Sequence, residues 1–340
     1  MNKRYYALTL LICLIFLVSA CKGKSSSSAG GAPRDPFLGG TAGITINFEK
    51  DSPLPEVTDD QTFGFKAIVR LKNDGEFKLD RDKIKVNLVG FEPQDFNAHI
   101  EDMRNQPPED SLDARRRDAE GNIVDGTTTF VIFPKGDNEF RPQKFPGNTE
   151  FTFRTDVCYL YETRAISKLC ILRDMINVRD NSFCKPTGSK TIDSSSAPVQ
   201  VTNFRQSVIG QNKLSFSFDV GLSGNVDVFQ DKSGTTPASS FDNACPREPK
   251  KRREVENKVK VKVEAVPISD PFVSGISCGG LDSKHEGVIT LVSGKRTLTC
   301  TAELNTDRID STKDIQVTVT YNVLDSKETK VLVKHLAETS

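Results

Sequence analysis

The chain of 340 residues has no tryptophan, three histidines, three methionines and no net charge, its 46 basic residues balancing 46 acidic ones. Each shortage excludes something. A balanced charge gives no global field to draw in nucleic acid, so no nucleic-acid partner is expected. The histidines, His99, His285 and His335, are scattered. His285 has acidic neighbours and a serine in Leu281-Asp-Ser-Lys-His-Glu-Gly287. They share one exposed turn, whereas a Ser-His-Asp set needs an imidazole held by a carboxylate and facing its nucleophile. His335 ends a strand and reads as a surface residue. No G-x-S-x-G, H-E-x-x-H, P-loop or G-x-G-x-x-G occurs. No enzymatic activity, catalytic residue or cofactor is therefore expected. Beyond the first 20 residues no apolar run approaches the 18 or so residues of a membrane span.

What is present begins at the N-terminus. Met1-Asn-Lys-Arg4 is basic, Ala7 to Val18 is almost unbrokenly apolar, and the small residues Ser19 and Ala20 precede Cys21. A basic start, a short apolar run and a small-residue cleavage site make a secretory signal. An ordinary signal peptide or an uncleaved anchor would share these traits. The stretch Leu17-Val-Ser-Ala-Cys21 closely resembles the lipobox of prokaryotic lipoproteins. That resemblance implies cleavage before Cys21, lipid on its sulfur, and a place on the cell membrane or outer membrane, facing outside the cytoplasm. The polar, Ser/Gly-rich run Lys22 to Pro33 has the composition of a flexible coil, so residues 21–40 read as a tether.

Cys13 leaves with the signal. Six cysteines remain: Cys158, Cys170, Cys184, Cys245, Cys278 and Cys300. An even number in an exported chain reads as up to three disulfides, and six cysteines allow 15 connectivities. The favoured set pairs Cys158 with Cys170 across a hairpin turn at Glu162-Thr-Arg-Ala165, and Cys278 with Cys300. Cys184–Cys245 is left by elimination. No C-x₂-C pair suggests zinc. The acidic clusters Asp59-Asp60, Asp80-Arg-Asp82 and Asp307 to Asp314 lack the spacing of a calcium loop and read as solvated turns. No metal site is expected.

Alternation of apolar and polar residues marks strands. It runs through Gly43–Phe48, Thr62–Leu71 (inward set Phe63, Phe65, Ala67, Val69, Leu71), Lys83–Leu88 and Phe151–Tyr159. It resumes in Val199–Thr202, Lys213–Phe218, Asn225–Phe229, Lys258–Glu264, Thr297–Leu304 and Asp314–Asn322. A turn at Asp325-Ser-Lys-Glu328 leads to a last strand, Lys330–Lys334. The charged, Pro-containing segment 92–126 reads as an exposed insertion that adds nothing to the core. Pro246 to Glu254, the densest basic run, reads as an interstrand loop.

Two series of about seven short strands predict an all-β chain of two packed sandwiches, 41–192 and 193–340. The halves look like distant copies: Leu71–Gly75 followed by Lys83–Leu88 is matched by Phe218–Gly224 followed by Val226–Phe229. This pattern is similar to that of immunoglobulin-like, adhesion-related domains of prokaryotic surface proteins, although the Cys…Trp…Cys signature is missing. The resemblance implies a structural or protein-binding role in adhesion or envelope assembly, with a protein partner in the envelope. A solute- or glycan-binding surface lipoprotein is the other reading.

Overall fold

The alternating segments become strands in the computed structural model, which describes residues 36–232, 241–268 and 271–337. The first series comprises β1 (Ile44–Phe48), β2 (Glu56–Thr58), β3 (Ala67–Asn73), β4 (Ile84–Val89), β5 (Arg116–Arg117), β6 (Ile123–Val124), β7 (Thr128–Phe133) and β8 (Thr149–Ile171). The second comprises β9 (Gly188–Ser189), β10 (Ile192–Ser194), β11 (Val199–Gly210), β12 (Lys213–Leu222) and β13 (Asp227–Phe229). The helix α1 (Pro249–Val255) follows, then β14 (Lys258–Val266), β15 (Val273–Cys278), β16 (Glu286–Thr290), β17 (Lys295–Leu304) and β18 (Ser311–Lys334). The chain is all-β apart from α1 and short 3₁₀ turns. In β4 the alternation is realised as read, with Ile84, Val86 and Leu88 buried. In the segment before β3 it is not: Phe65 is buried but Phe63 is 76% exposed.

The architecture is organised by β8 and β18. They pair antiparallel from Thr149↔Val333 to Ile171↔Ser311. Such a ribbon is roughly 75 Å long at about 3.3 Å per residue. β4 adds to β8 at one end of the ribbon, and β2 adds in parallel to β18 at the same end. Towards the other end β10 lies on β8, while β14 and then β16 extend from β18. A three-stranded sheet, β1-β3-β7, covers the first end. A five-stranded sheet, β15-β17-β12-β11-β9, covers the second.

Side chains tie the ribbon to what packs on it. At the first end Phe153 of β8 meets Phe65, Phe91 and Phe140 of the segments that connect the strands, with ring centroids 6.1, 4.1 and 5.6 Å apart. At the second end Thr163 Oγ1 donates to the Val199 carbonyl at 2.7 Å, and the Val199 N–H donates to the Tyr321 hydroxyl at 3.1 Å. Gln206 exchanges two hydrogen bonds with the Cys170 backbone, at 2.9 and 2.7 Å. Each end is thus a sandwich, and the two sandwiches share the ribbon.

Strand pairing therefore crosses the position expected for a boundary at residue 193. β18, from the last 30 residues, pairs with β8 throughout, and the residues from Pro36 onward form one compact unit. The similar halves occupy equivalent places. β3 lies in a covering sheet and β4 on the ribbon; β12 lies in a covering sheet and β13 on the ribbon.

Two expected turns are not turns. Glu162–Ala165 lies inside β8 and Asp325–Glu328 inside β18. Exposure alternates through Glu162–Ala165, and Ser326, Lys327 and Glu328 are all exposed, but both backbones are paired to the opposite strand, and a continuous ladder outcompetes local turn chemistry. The segment 92–126 also departs from expectation. Phe96, Met103 and Leu112 are almost wholly buried, and bridges tie Leu112 to Leu79 and Gln106 to Val86. Its few apolar residues are spaced without a period, so each enters the core singly. Finally, the basic run expected as a loop contains α1, with Pro249 at its first turn, where proline costs nothing.

Candidate functional site

The segment expected to be a signal, and Cys21, lie outside the described residues. Residues 36–40, assigned above to the tether, are docked. The Leu38 and Gly39 N–H groups donate to the Glu76 carboxylate at 2.7 and 3.0 Å, and the Ser196 N–H joins them at 2.7 Å. This clasp sits at the waist, where the Tyr161 hydroxyl donates to the Ser196 carbonyl at 3.0 Å. Gly75 fits here because a Cβ would collide with that hydroxyl. Burial pushes the Tyr159, Tyr161 and Tyr321 hydroxyls well above their ordinary range.

All six cysteines expected to pair do so, and the pairing corrects the favoured set. Cys158 joins Cys245, Cys170 joins Cys184, and Cys278 joins Cys300. Cys158 and Cys170 lie on one strand. Twelve residues of extended chain hold them about 40 Å apart, far beyond the 7 Å reach of a disulfide. The error followed from reading Glu162–Ala165 as a turn. Cys278 and Cys300 face each other directly across β15 and β17, as expected of adjacent segments. Three disulfides are those of a chain that folds outside the reducing cytoplasm. Among the described residues no helix is long and apolar enough to cross a membrane.

Cys158–Cys245 fixes the segment 241–247 against the ribbon. Arg247 adds an ion pair to Asp156 at 2.8 Å, shared with Arg154 at 3.0 Å. Three cavities, of about 320, 330 and 490 Å³, open around this segment and α1. The largest is polar, and its three arginines are answered by acids: Asp156 takes Arg154 and Arg247, and Asp227 takes Arg252 at 2.9 Å. Burial raises the Asp325 carboxyl in its wall, against the opposing Ser326 N–H and the Lys327 charge. The smallest is walled by Phe241, Ala244, Pro246 and Val255, with Asn322 of β18 in its lining.

A second candidate lies at the Ile171–Ser311 end of the ribbon. Arg308 is 1% exposed and gathers three loops. Its Nε donates to the Leu172 carbonyl at 2.8 Å. Its two terminal nitrogens reach the carbonyls of Arg173, Gln211 and Asn305 and the Asn212 side chain. Desolvation lowers the guanidinium's pKa, yet the ring of carbonyl acceptors suits a cation. Cys170–Cys184 closes one of these loops. Exposed apolar side chains stand on these loops and at the end of β11: Ile176 (63%), Phe183 (66%) and Ile309 (54%), with Val178 near Ile176 in sequence, and Ile209 (53%) on β11. Sequence reading took Asp307 to Asp314 as a solvated turn. The cation within it was the overlooked signal.

Two other residues are more engaged than expected. Asp59 is 1% exposed, not solvated. It accepts the N–H groups of Phe145 and Leu336 at 3.1 and 2.9 Å and faces His335 Nδ1 at 2.7 Å. These bonds, the Leu336 N–H first and His335 next, hold its pKa at about 2. His335 is accordingly a half-buried partner rather than a free surface residue. His99, exposed, shares a polar cleft with Asp102, Glu139 and Arg141. Among the described residues no group of three or more His, Cys, Asp or Glu is placed to hold a metal ion.

No known protein family matches the chain, and no curated protein matches it. Among solved structures, that of the serine-rich repeat adhesion glycoprotein Srr1 from Streptococcus agalactiae overlaps 88% of this chain and 100% of its own, at 12% identity and a TM-score of 0.13. An overlap at that score bears on neither fold nor role.

Proposed function

We propose that the chain is a lipid-anchored protein of the cell envelope, held through Cys21 on the outside of the cytoplasm, whose folded part binds a protein partner in adhesion or envelope assembly. The observation that carries the binding role is the loop end gathered by Arg308. Its loops present Ile176, Phe183 and Ile309, and the end of β11 presents Ile209, to solvent on a frame fixed by a buried cation and a disulfide. Large exposed apolar side chains on a rigid frame are what a protein interface uses. The chain enters the fold at the waist, beside Glu76. From there the ten steps along β8 from Tyr161 to Ile171 reach roughly 33 Å outward.

Two measurements test the two parts. Cys21→Ser should move the protein from the membrane fraction or block its processing; a variant that stays membrane-bound with a normal mature N-terminus removes the lipid anchor. The triple variant Ile176→Asp, Phe183→Ser, Ile309→Asp should keep the melting temperature and lose partners crosslinked in intact envelopes. An unchanged set of crosslinked partners would reject the loop end as the binding surface.

A further inference from the structure

The two larger cavities around α1 are independent of the loop end and share one wall residue, Arg247. Their volumes, about 330 and 490 Å³, lie within the range of ligand pockets, roughly 300 to 1,000 Å³. Both involve one face of the ribbon. Asp156 and Cys158 of β8 stand directly across from Asn87 and Lys85 of β4, which puts these four side chains on that face. The walls are pre-formed. Cys158–Cys245 pins the chain two residues before Arg247, and Arg252 ties α1 to Asp227 of β13.

Four arginines line the two cavities, and the acids are unevenly shared among them. Arg252 is answered twice, by Asp227 at 2.9 Å and by Glu256 at 3.0 Å. The other three have one carboxylate between them. Asp156 takes Arg154 Nε at 3.0 Å on one oxygen and Arg247 Nη2 at 2.8 Å on the other. Its side chain is 8% exposed, whereas those of Arg154 and Arg247 are 44% and 46% exposed. A buried acid thus orients two accessible guanidiniums. Arg247 spends only Nη2 on it; among the described residues its Nε and Nη1 have no partner. Arg104, exposed on the segment 92–126, lines the smaller of the two cavities, whose described lining holds no acid. Asp325 belongs to the lining of the larger one. It stands across from Val157, however, so its carboxyl shares the buried, opposite face, where its charge acts on the Tyr159 hydroxyl. Arg104, Arg154 and Arg247 therefore set three positive charges against one negative.

We infer that this pair of cavities binds a phosphate monoester at Arg247, with Arg104 and Arg154 on either side. The surplus of two positive charges matches a phosphate dianion. A planar carboxylate has two oxygens, and Asp156 already fills that role between Arg154 and Arg247. Guanidiniums brought from three separate segments suit the three oxygens of a phosphate, and the fork of N–H groups on each is the donor set that phosphate takes. Asn87, Asn105 and Asn243 line one cavity and Asn225 the other. Their amides suit an esterified alcohol rich in hydroxyls, as in a sugar phosphate. The headgroup of phosphatidic acid carries the same phosphate chemistry.

The test uses the whole chain carrying Cys21→Ser, so that no lipid on that residue contributes to membrane capture. Calorimetry measures glucose 6-phosphate against glucose and glucuronate, and sedimentation measures capture by phosphatidylcholine vesicles with and without phosphatidic acid. Saturable binding of glucose 6-phosphate is expected, with glucose and glucuronate at least tenfold weaker. Arg104→Gln and Arg247→Gln should each weaken it about tenfold or more, the worth of one hydrogen bond to a charged group. Arg104 is exposed and makes no ion pair among the described residues, so Arg104→Gln should keep the melting temperature and reads the site without a folding defect. Arg116→Gln, on the exposed strand β5, should leave binding unchanged. Capture only by vesicles containing phosphatidic acid, reversed by Arg104→Gln, would assign the phosphate to a lipid headgroup; sugar-phosphate binding without capture would assign it to a soluble ligand. Binding of neither, equal affinity for glucuronate, or an Arg116→Gln effect as large as that of Arg104→Gln would each overturn the assignment.

Discussion

Asp59 closes the last residues of the chain onto its first strands, and it does so as a carboxylate. Its folded pKa of about 2 lies below the ordinary value of 3.8. The bonds to Leu336, His335 and Phe145 therefore contribute stability that is complete above about pH 4. That contribution is lost as the pH falls through about 2, because the unfolded chain takes up the proton first. Melting temperature measured from pH 5 down to pH 2 should fall through that window, with the amides of Phe145 and Leu336 losing hydrogen-exchange protection together. Asp59→Asn should melt lower at pH 7 and show a flatter acid limb. An acid limb identical to the parent's would remove Asp59 from the explanation. The sequence showed Asp59 only as an acid in a polar stretch. Its partners are 86 and 276 or more residues away, and no local pattern encodes them.

At the scale of elements, short strands were legible in covering sheets and ribbon alike, and the unbroken length of the two long ribbon strands was not. β1, β3, β4, β12 and β14 each alternate over five to ten residues, and alternation is a local signal. β8 and β18 contain polar runs that look like turns in isolation and are strands only because each supplies the other's ladder. The disulfides follow from this. Peptide mapping of the unreduced protein should recover Cys158–Cys245, Cys170–Cys184 and Cys278–Cys300. A Cys158–Cys170 peptide would mean that β8 is broken at Glu162–Ala165. The segment 92–126 carries its own prediction. Phe96 packs edge-on against Phe91, Phe140, Phe151 and Phe153. Phe96→Ala should cost about 3–5 kcal/mol, the range for a large aromatic removed from a core, and deletion of the whole segment should unfold the first sandwich. A deletion that leaves the melting temperature intact would return this segment to the status of a surface insertion.

At the scale of the whole molecule, the two sandwiches are expected to fold as one cooperative unit. A chain cut after residue 192 would strand β8 without β18, leaving a 23-residue edge with unpaired backbone, an aggregation site. The fragment 41–192 should be insoluble or unfolded when expressed alone, whereas residues 36–337 should melt in one transition. Two separated calorimetric transitions, or a soluble, well-dispersed fragment, would show that the shared ribbon does not couple the halves. The sequence alone determined the all-β class, the approximate place of most short strands, the six paired cysteines and the expectation of export, because alternation, composition and a basic-then-apolar run are written in neighbouring residues. The ribbon, the disulfide partners, the burial of Arg308 and Asp59 and the arginine-lined cavities were decided only in three dimensions. Each depends on residues brought together from distant parts of the chain, and the free energy of such contacts has no trace in local periodicity.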